Sequence, residues 1–311
     1  MKKIILLLNN ITFKIIKKSN MIDAHTHCFP PEISDNITQW ATTYNESHWL
    51  KLVAPNNKPS LQGYASKEGM IEAMDCAKVS QSILLGWYWE NKATCIRHNQ
   101  LMKQWMDFAP MRFHAFASIY PNDEPIQQLE LAHSMGFKGV GELHPTIQHY
   151  DQYKDRWHTM AEWCETNNWP MNFHVSEGLN VKYPNFIPTP FDIYLEFAEA
   201  FPDLKIILSH WGGGIPFFEL NPKLKLLLKN FYYDTSASPL LYDMTIFRNV
   251  IHLVGAEKII FGSDYPLKLY PKKQKQVEMQ TFIKDIQSKA GLNQNEYEQI
   301  FEKNICSLLN L

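Results

Sequence analysis

From residue 21 onward, short runs of apolar and β-branched residues alternate with longer stretches in which apolar positions recur every three or four residues. The short runs span 22–25, 82–86, 114–118, 139–143, 171–175, 206–209, 231–234 and 259–262. The amphipathic stretches span 68–78, 93–108, 125–135, 154–167, 190–200, 217–229, 242–253 and 273–289, and 295–309 adds a C-terminal helix. Eight strand–helix repeats predict an α/β fold with a parallel sheet, and their number and length predict a (β/α)8 TIM barrel, typically ~250 residues. An open doubly wound sheet is the competing architecture. Its usual glycine-rich phosphate loop does not follow the first strand.

Residues 1–20 read as an N-terminal extension outside the fold, and 21–311 as a single barrel domain. The start resembles a signal peptide, with Lys2 and Lys3 before Ile4–Leu8, but Asn9 and Asn10 interrupt the apolar run and no small-residue cleavage site follows. A second departure is the connection between the first two strands, residues 28–81. It forms a long β1–α1 insertion loop of the kind that usually serves function. It carries Trp40, Tyr44, Trp49 and Tyr64, and the next loop carries Trp87, Tyr88 and Trp89. Both would lie at the carboxyl end of the barrel, either as a lid or substrate wall or as plain packing.

Composition narrows the classes. A net charge of −2, with 30 basic against 32 acidic residues, offers no footprint for nucleic acid. No apolar run is long enough to span a membrane. The five cysteines are scattered without a C-x-x-C, which fits unpaired thiols and a cytoplasmic protein.

The chemistry concentrates at strand ends. His25 and His27, in Asp-Ala-His-Thr-His, lie on one face of the first strand, about 7 Å apart along it, and can converge on one cation. Glu142 ends the fourth strand, His174 the fifth and His210 the sixth; Asp264 follows the eighth. A closed barrel brings all six to one mouth. Three or four imidazoles with one or two carboxylates suit zinc, manganese or iron rather than calcium.

The stretches IDAHTHCFPPE, GFKGVGELHP, FHVSE, LSHWGGGIPFFE, NFYYDTSASPLLYD and KIIFGSDYPL, running in order from residue 22 to about 267, resemble the amidohydrolase superfamily. The likeness is to its amidohydrolase-related branch, which also contains aminocarboxymuconate-semialdehyde decarboxylase. The resemblance implies a TIM barrel in which His25, His27, His174 and Asp264 ligate a divalent metal, most readily zinc, with one or two ions per chain. It implies that His210 binds a second metal or assists at the substrate. Barrels of this branch are often homodimers, and some pyrone-dicarboxylate lactonases of the branch work without metal. Where part of the superfamily has a carboxylated lysine, this chain has Glu142; Lys138 lies four residues earlier. Glu142 bridges two metals if it faces inward, and pairs toward a helix if it faces outward, since a one-residue shift of register reverses it.

A divalent cation lowers the pKa of water from 15.7 toward ~7. With Asp264 to move the proton, this supports hydrolysis of an amide, lactone or ester bond of a small molecule. Asp23 either fixes a ligand tautomer or bonds backbone at the strand end. Gly212–Gly214, Glu177, His144, Cys28 and the pair Cys95/His98 are weaker candidates. Decarboxylation of an unsaturated or aromatic acid is the alternative, and a ligand-binding barrel without turnover is a third reading. A decarboxylase needs a group to hold the substrate carboxylate, usually arginine. The chain has only Arg97, Arg112, Arg156 and Arg248, none in the long first loop, which favours the hydrolase.

Overall fold

The computed structural model describes residues 20–29, 32–58, 60–176 and 187–311, so the expected extension lies outside the described residues except for Asn20. Eight strands alternate with helices: β1 (Ile22–Thr26), β2 (Gln81–Leu84), β3 (Phe113–Ala115), β4 (Val140–Leu143), β5 (Met171–Phe173), β6 (Ile206–Leu208), β7 (Phe231–Asp234) and β8 (Ile259–Ile260). All pairings are parallel, in the orders β1-β2-β3 and β4-β5-β6-β7-β8. Backbone bonds join the two sheets at both seams. Lys138 N–H donates to the Ala115 carbonyl and Ala117 N–H to Gly139; at the other seam Ala24 N–H donates to Phe261 and His27 N–H to Tyr265. This is the (β/α)8 order of a TIM barrel.

The alternation of strand residues builds two layers. Met171 and Phe173 of β5 and Ile206 and Leu208 of β6 face outward, packing with Trp157 and Phe197 of the surrounding helices. Ile207, Ile83, Phe116 and Ile260 form an inner cluster with Ile305 and Leu308 of the C-terminal helix. That helix is pinned to the start of β8, where the Asn304 amide donates to the Ala256 and Ile259 carbonyls at 2.7 Å each. One end of the strands is thereby filled with apolar side chains, leaving the carboxyl end for polar ones.

The insertion is helical. Glu32–Asp35, Ile37–Tyr44 and Ser47–Val53 precede the expected helix, Lys67–Ala77. Asn36 caps the second of these by accepting from Gln39 N–H, and Asn45 closes it in a left-handed conformation. Ile33, Trp40, Trp49 and Val53 from these helices pack with Phe29, Trp87 and Trp89 in a cluster of their own. Elsewhere the helix expected over 217–229 is replaced by a 3₁₀ segment, His210–Leu220, and a short helix, Pro222–Leu227. Pro222, inside the expected span, lacks the N–H a continuing helix needs and instead starts the short helix, capped by Asn221. The helix expected from 273 begins at Gln280, after a turn in which Gln274 accepts from Tyr270 N–H. The five cysteines are unpaired. Among the described residues no helix is long and apolar enough to cross a membrane.

Candidate metal centre

His25 and His27 leave β1 on one face, as alternation requires, and their Nε2 atoms meet at 3.1 Å. The far side of each ring is anchored. His25 Nδ1–H donates to Asp234 Oδ2 at 2.8 Å, and His27 Nδ1–H to the Leu85 carbonyl at 3.3 Å. Both Nε2 lone pairs therefore point at the same spot, a repulsion that a proton or a cation between them relieves. The chain just after β8 makes room for His25: a Cβ at Gly262 would sit 2.5 Å from the His25 Cβ. Asp264 follows in a left-handed conformation, its N–H donating to the His25 carbonyl at 2.8 Å. Its Oδ1 lies 3.6 Å from His25 Nε2 and 3.5 Å from His27 Nε2.

Glu142 faces inward and is 1 % exposed. Its Oε2 lies 3.7 Å from His27 Nε2. Its Oε1 lies 3.7 Å from His25 Nε2, 3.2 Å from His174 Nδ1 and 3.9 Å from His210 Nε2. The backbone that presents it needs glycine before it, since Gly141 has φ +132° and a Cβ there would meet the Asn172 carbonyl oxygen at 2.4 Å. His174 Nδ1 and His210 Nε2 are 3.3 Å apart, and the Ser236 carbonyl and hydroxyl hold His210 Nδ1. Two donor groups thus share one carboxylate: His25, His27 and Glu142, and Glu142, His174 and His210. Asp264 Oδ1 lies as near to His25 and His27 as Glu142 does, so the expected ligand Asp264 stands within reach of the first group.

The electrostatics match. Burial opposes charge on His25, but Asp234, Glu142 and Asp264 raise it to about 10; the field that grips a proton so firmly also draws a cation. Burial likewise opposes ionisation of Glu142, yet His174, His25 and His27 hold it well below the ordinary carboxylate range. Burial, reinforced by His174, pushes His210 down. Four imidazole nitrogens, an ionised carboxylate and ring N–H groups tied back to protein acceptors are the donor chemistry of a divalent transition metal, and the residues fit one.

The structure therefore brings together all six residues singled out at strand ends. It resolves Glu142 inward. Asp23 does not touch a ligand ring: its Oδ1 accepts from the backbone N–H of Ser263 and of His25. The carboxylate that orients His25 is Asp234, absent from the sequence-level candidates although the strand-end Tyr-Tyr-Asp-Thr-Ser could have suggested it. Burial opposes its ionisation, but His25 holds it at about 2. His144 stacks on His174, centroids 5.6 Å apart. His98 contacts Cys28 and Trp89 rather than pairing with Cys95 around a metal. Gly212 and Gly213 pack tightly against Tyr233 and Val175, and so belong to a close turn. Glu177 lies outside the described residues. Around His27 stand Trp87 at 5.4 Å and Phe29 at 5.9 Å, so part of the aromatic cluster walls the centre.

A family model described as Amidohydrolase matches residues 22–311. Solved structures of similar fold include 5-carboxyvanillate decarboxylase from Sphingomonas paucimobilis, with TM-score 0.69, 16% identity, and coverage of 94% of this chain and 99% of that one. A dihydroxybenzoic acid decarboxylase from Polaromonas sp. JS666, with bound manganese and 2-nitroresorcinol, gives TM-score 0.64 at 18% identity, covering 94% and 97%. A probable 2-pyrone-4,6-dicarboxylic acid hydrolase from Acinetobacter baumannii gives 0.62 at 15% identity, covering 94% and 100%.

Proposed function

This chain belongs to the amidohydrolase family, and on that premise we propose that it is a metal-dependent hydrolase that cleaves an amide, lactone or ester bond of a small molecule at a centre where Glu142 would be shared between two divalent cations. The observation that carries the reading is the Glu142 carboxylate standing between two pairs of imidazole nitrogens. His25 and His27 would hold one ion and His174 and His210 the other, with zinc or manganese best matched to the donors. Bound there, a divalent cation supplies Lewis acidity, lowering the pKa of water toward ~7 and polarising a carbonyl. Asp264 accepts a proton from the attacking water and returns it to the departing nitrogen or oxygen. The acyl C–N or C–O bond breaks, and a carboxylic acid leaves with an amine or alcohol. Asp234 keeps the His25 ring in one tautomer and orientation throughout.

A second reading, non-oxidative decarboxylation of an aromatic acid, draws support from the two decarboxylases of similar fold. Against it stands the commitment of the arginines. Arg97 pairs with Glu32, Arg112 with Asp75 and Arg248 with Glu296, while Arg156 donates to the Asn122 carbonyl. The metal-loaded enzyme, given a panel of lactones, esters, N-acyl amines and hydroxybenzoates, is expected to consume one of the first three classes with release of acid. Release of CO₂ from the hydroxybenzoates without acyl cleavage would favour the second reading.

A further inference from the structure

The insertion also contributes an imidazole that the strand motifs do not supply. His48 opens the helix Ser47–Val53, and its position is fixed through the backbone: the His48 N–H and the Ser47 hydroxyl donate to the Glu90 carboxylate at 2.6 and 3.1 Å. Glu90 N–H in turn donates to the buried Glu46 carboxylate at 2.8 Å. The insertion is thereby fastened to the segment after β2, with the His48 ring only 9 % exposed. That ring lies 6.0 Å from Tyr88 and 6.4 Å from His144, and these two rings lie 5.3 and 5.6 Å from His174. Nδ1 of His48 is buried and has no hydrogen-bond partner among the described residues. Such an atom has lost its water without recompense, and a ligand group that bonds it removes the penalty.

The surroundings define the ligand. Trp87 and Tyr88 stack on one another with centroids 4.4 Å apart, and the pair reaches from His27, 5.4 Å from Trp87, to His174, 5.3 Å from Tyr88. Such aromatic surroundings favour an aromatic or unsaturated ligand. Burial, then His174 and Lys51, hold His48 down at about 4, so the ring is neutral near pH 7. The arginines, which would bind a free carboxylate, have the partners named above.

We propose that His48 determines substrate specificity, its Nδ1 hydrogen-bonding a neutral carbonyl or hydroxyl group of a planar aromatic or unsaturated substrate laid against Tyr88. The assignment deepens the hydrolase reading and rests on its placing the scissile bond beside Glu142 and Asp264. Dihydrocoumarin, a neutral aromatic lactone, is the probe, titrated calorimetrically into the metal-loaded full chain carrying Asp264→Asn so that it is not consumed. Adding His48→Phe, which keeps a ring without the nitrogen, is expected to weaken binding at least tenfold. His48→Asn, whose amide occupies the place of Nδ1, stays within about threefold. Metal content and circular dichroism are unchanged in both. Equal binding by the His48→Phe protein overturns the proposal. So does a parent that binds 2,6-dihydroxybenzoate in preference to the lactone, or that binds neither. If binding follows the expected order but the native enzyme leaves the lactone intact, the hydrolase reading fails while the role of His48 stands.

Discussion

Asp264 is poised by its own backbone, which is tied to β1 through the His25 carbonyl, so its carboxylate stays within 3.6 Å of both Nε2 atoms. Asn at this position keeps the shape and removes the proton acceptor. Steady-state kinetics of Asp264→Asn are expected to show kcat lower by a factor on the order of 10²–10⁴ with KM little changed. A wild-type kcat would take Asp264 out of proton transfer. His98 provides a test at acid pH. Trp89 Nε1–H donates to its Nδ1 at 2.9 Å, so Nε2 carries the hydrogen and donates to the Cys28 carbonyl at 2.5 Å, behind His27. Burial, reinforced by His27, pushes this imidazole down to about 4 from 6.5. Between those values the unfolded chain binds a proton that the folded ring refuses. Its contribution is therefore complete above pH 6.5 and lost progressively toward pH 4, by an amount on the order of 3 kcal/mol. Urea midpoints should fall more steeply from pH 7.5 to 5 in the wild type than in His98→Gln, and parallel slopes would contradict this. At this scale the imidazoles and Asp264 were legible because each ends a strand. The orientation of Glu142 was not, since a one-residue change of register reverses it, and Asp234 bonds a ring from a strand more than two hundred positions away.

Among the elements, the eight strands could be read because buried parallel strands are short, nearly continuous apolar runs. Helix continuity around the glycine run could not, because tertiary contacts replace helical ones there. The 3₁₀ segment His210–Leu220 is held by the buried Glu219, which accepts from Lys258 Nζ at 2.7 Å and from the Tyr233 hydroxyl at 2.6 Å. Lys258 Nζ also donates to the Leu228 carbonyl at 2.8 Å, joining the start of β8 to the same region. The bond network seats the segment that begins with His210. Lys258→Met leaves Glu219 without its cation and is expected to cost about 3–5 kcal/mol in urea denaturation, with Lys258→Met/Glu219→Gln recovering much of the loss. A single variant as stable as the wild type would show that the pair holds nothing in place.

Across the whole molecule, the apolar filling at one end of the strands leaves the carboxyl end, beside the helical insertion, as the place where the strand-end imidazoles and carboxylates meet. The fold class was legible from the repeat of strand and helix. The insertion read as a loop because its helices are stabilised by packing Trp40 and Trp49 on residues from the next loop, not by a repeating pattern of their own. Everything proposed for this chain depends on that polar region taking up divalent cations. The most direct measurement is the metal content per chain by plasma mass spectrometry, after stripping, reloading with zinc or manganese and removal of excess. About two ions per chain are expected in the wild type and at most about one in Glu142→Gln. A wild type that retains no metal, or a Glu142→Gln protein that retains as much as the wild type, would contradict the account.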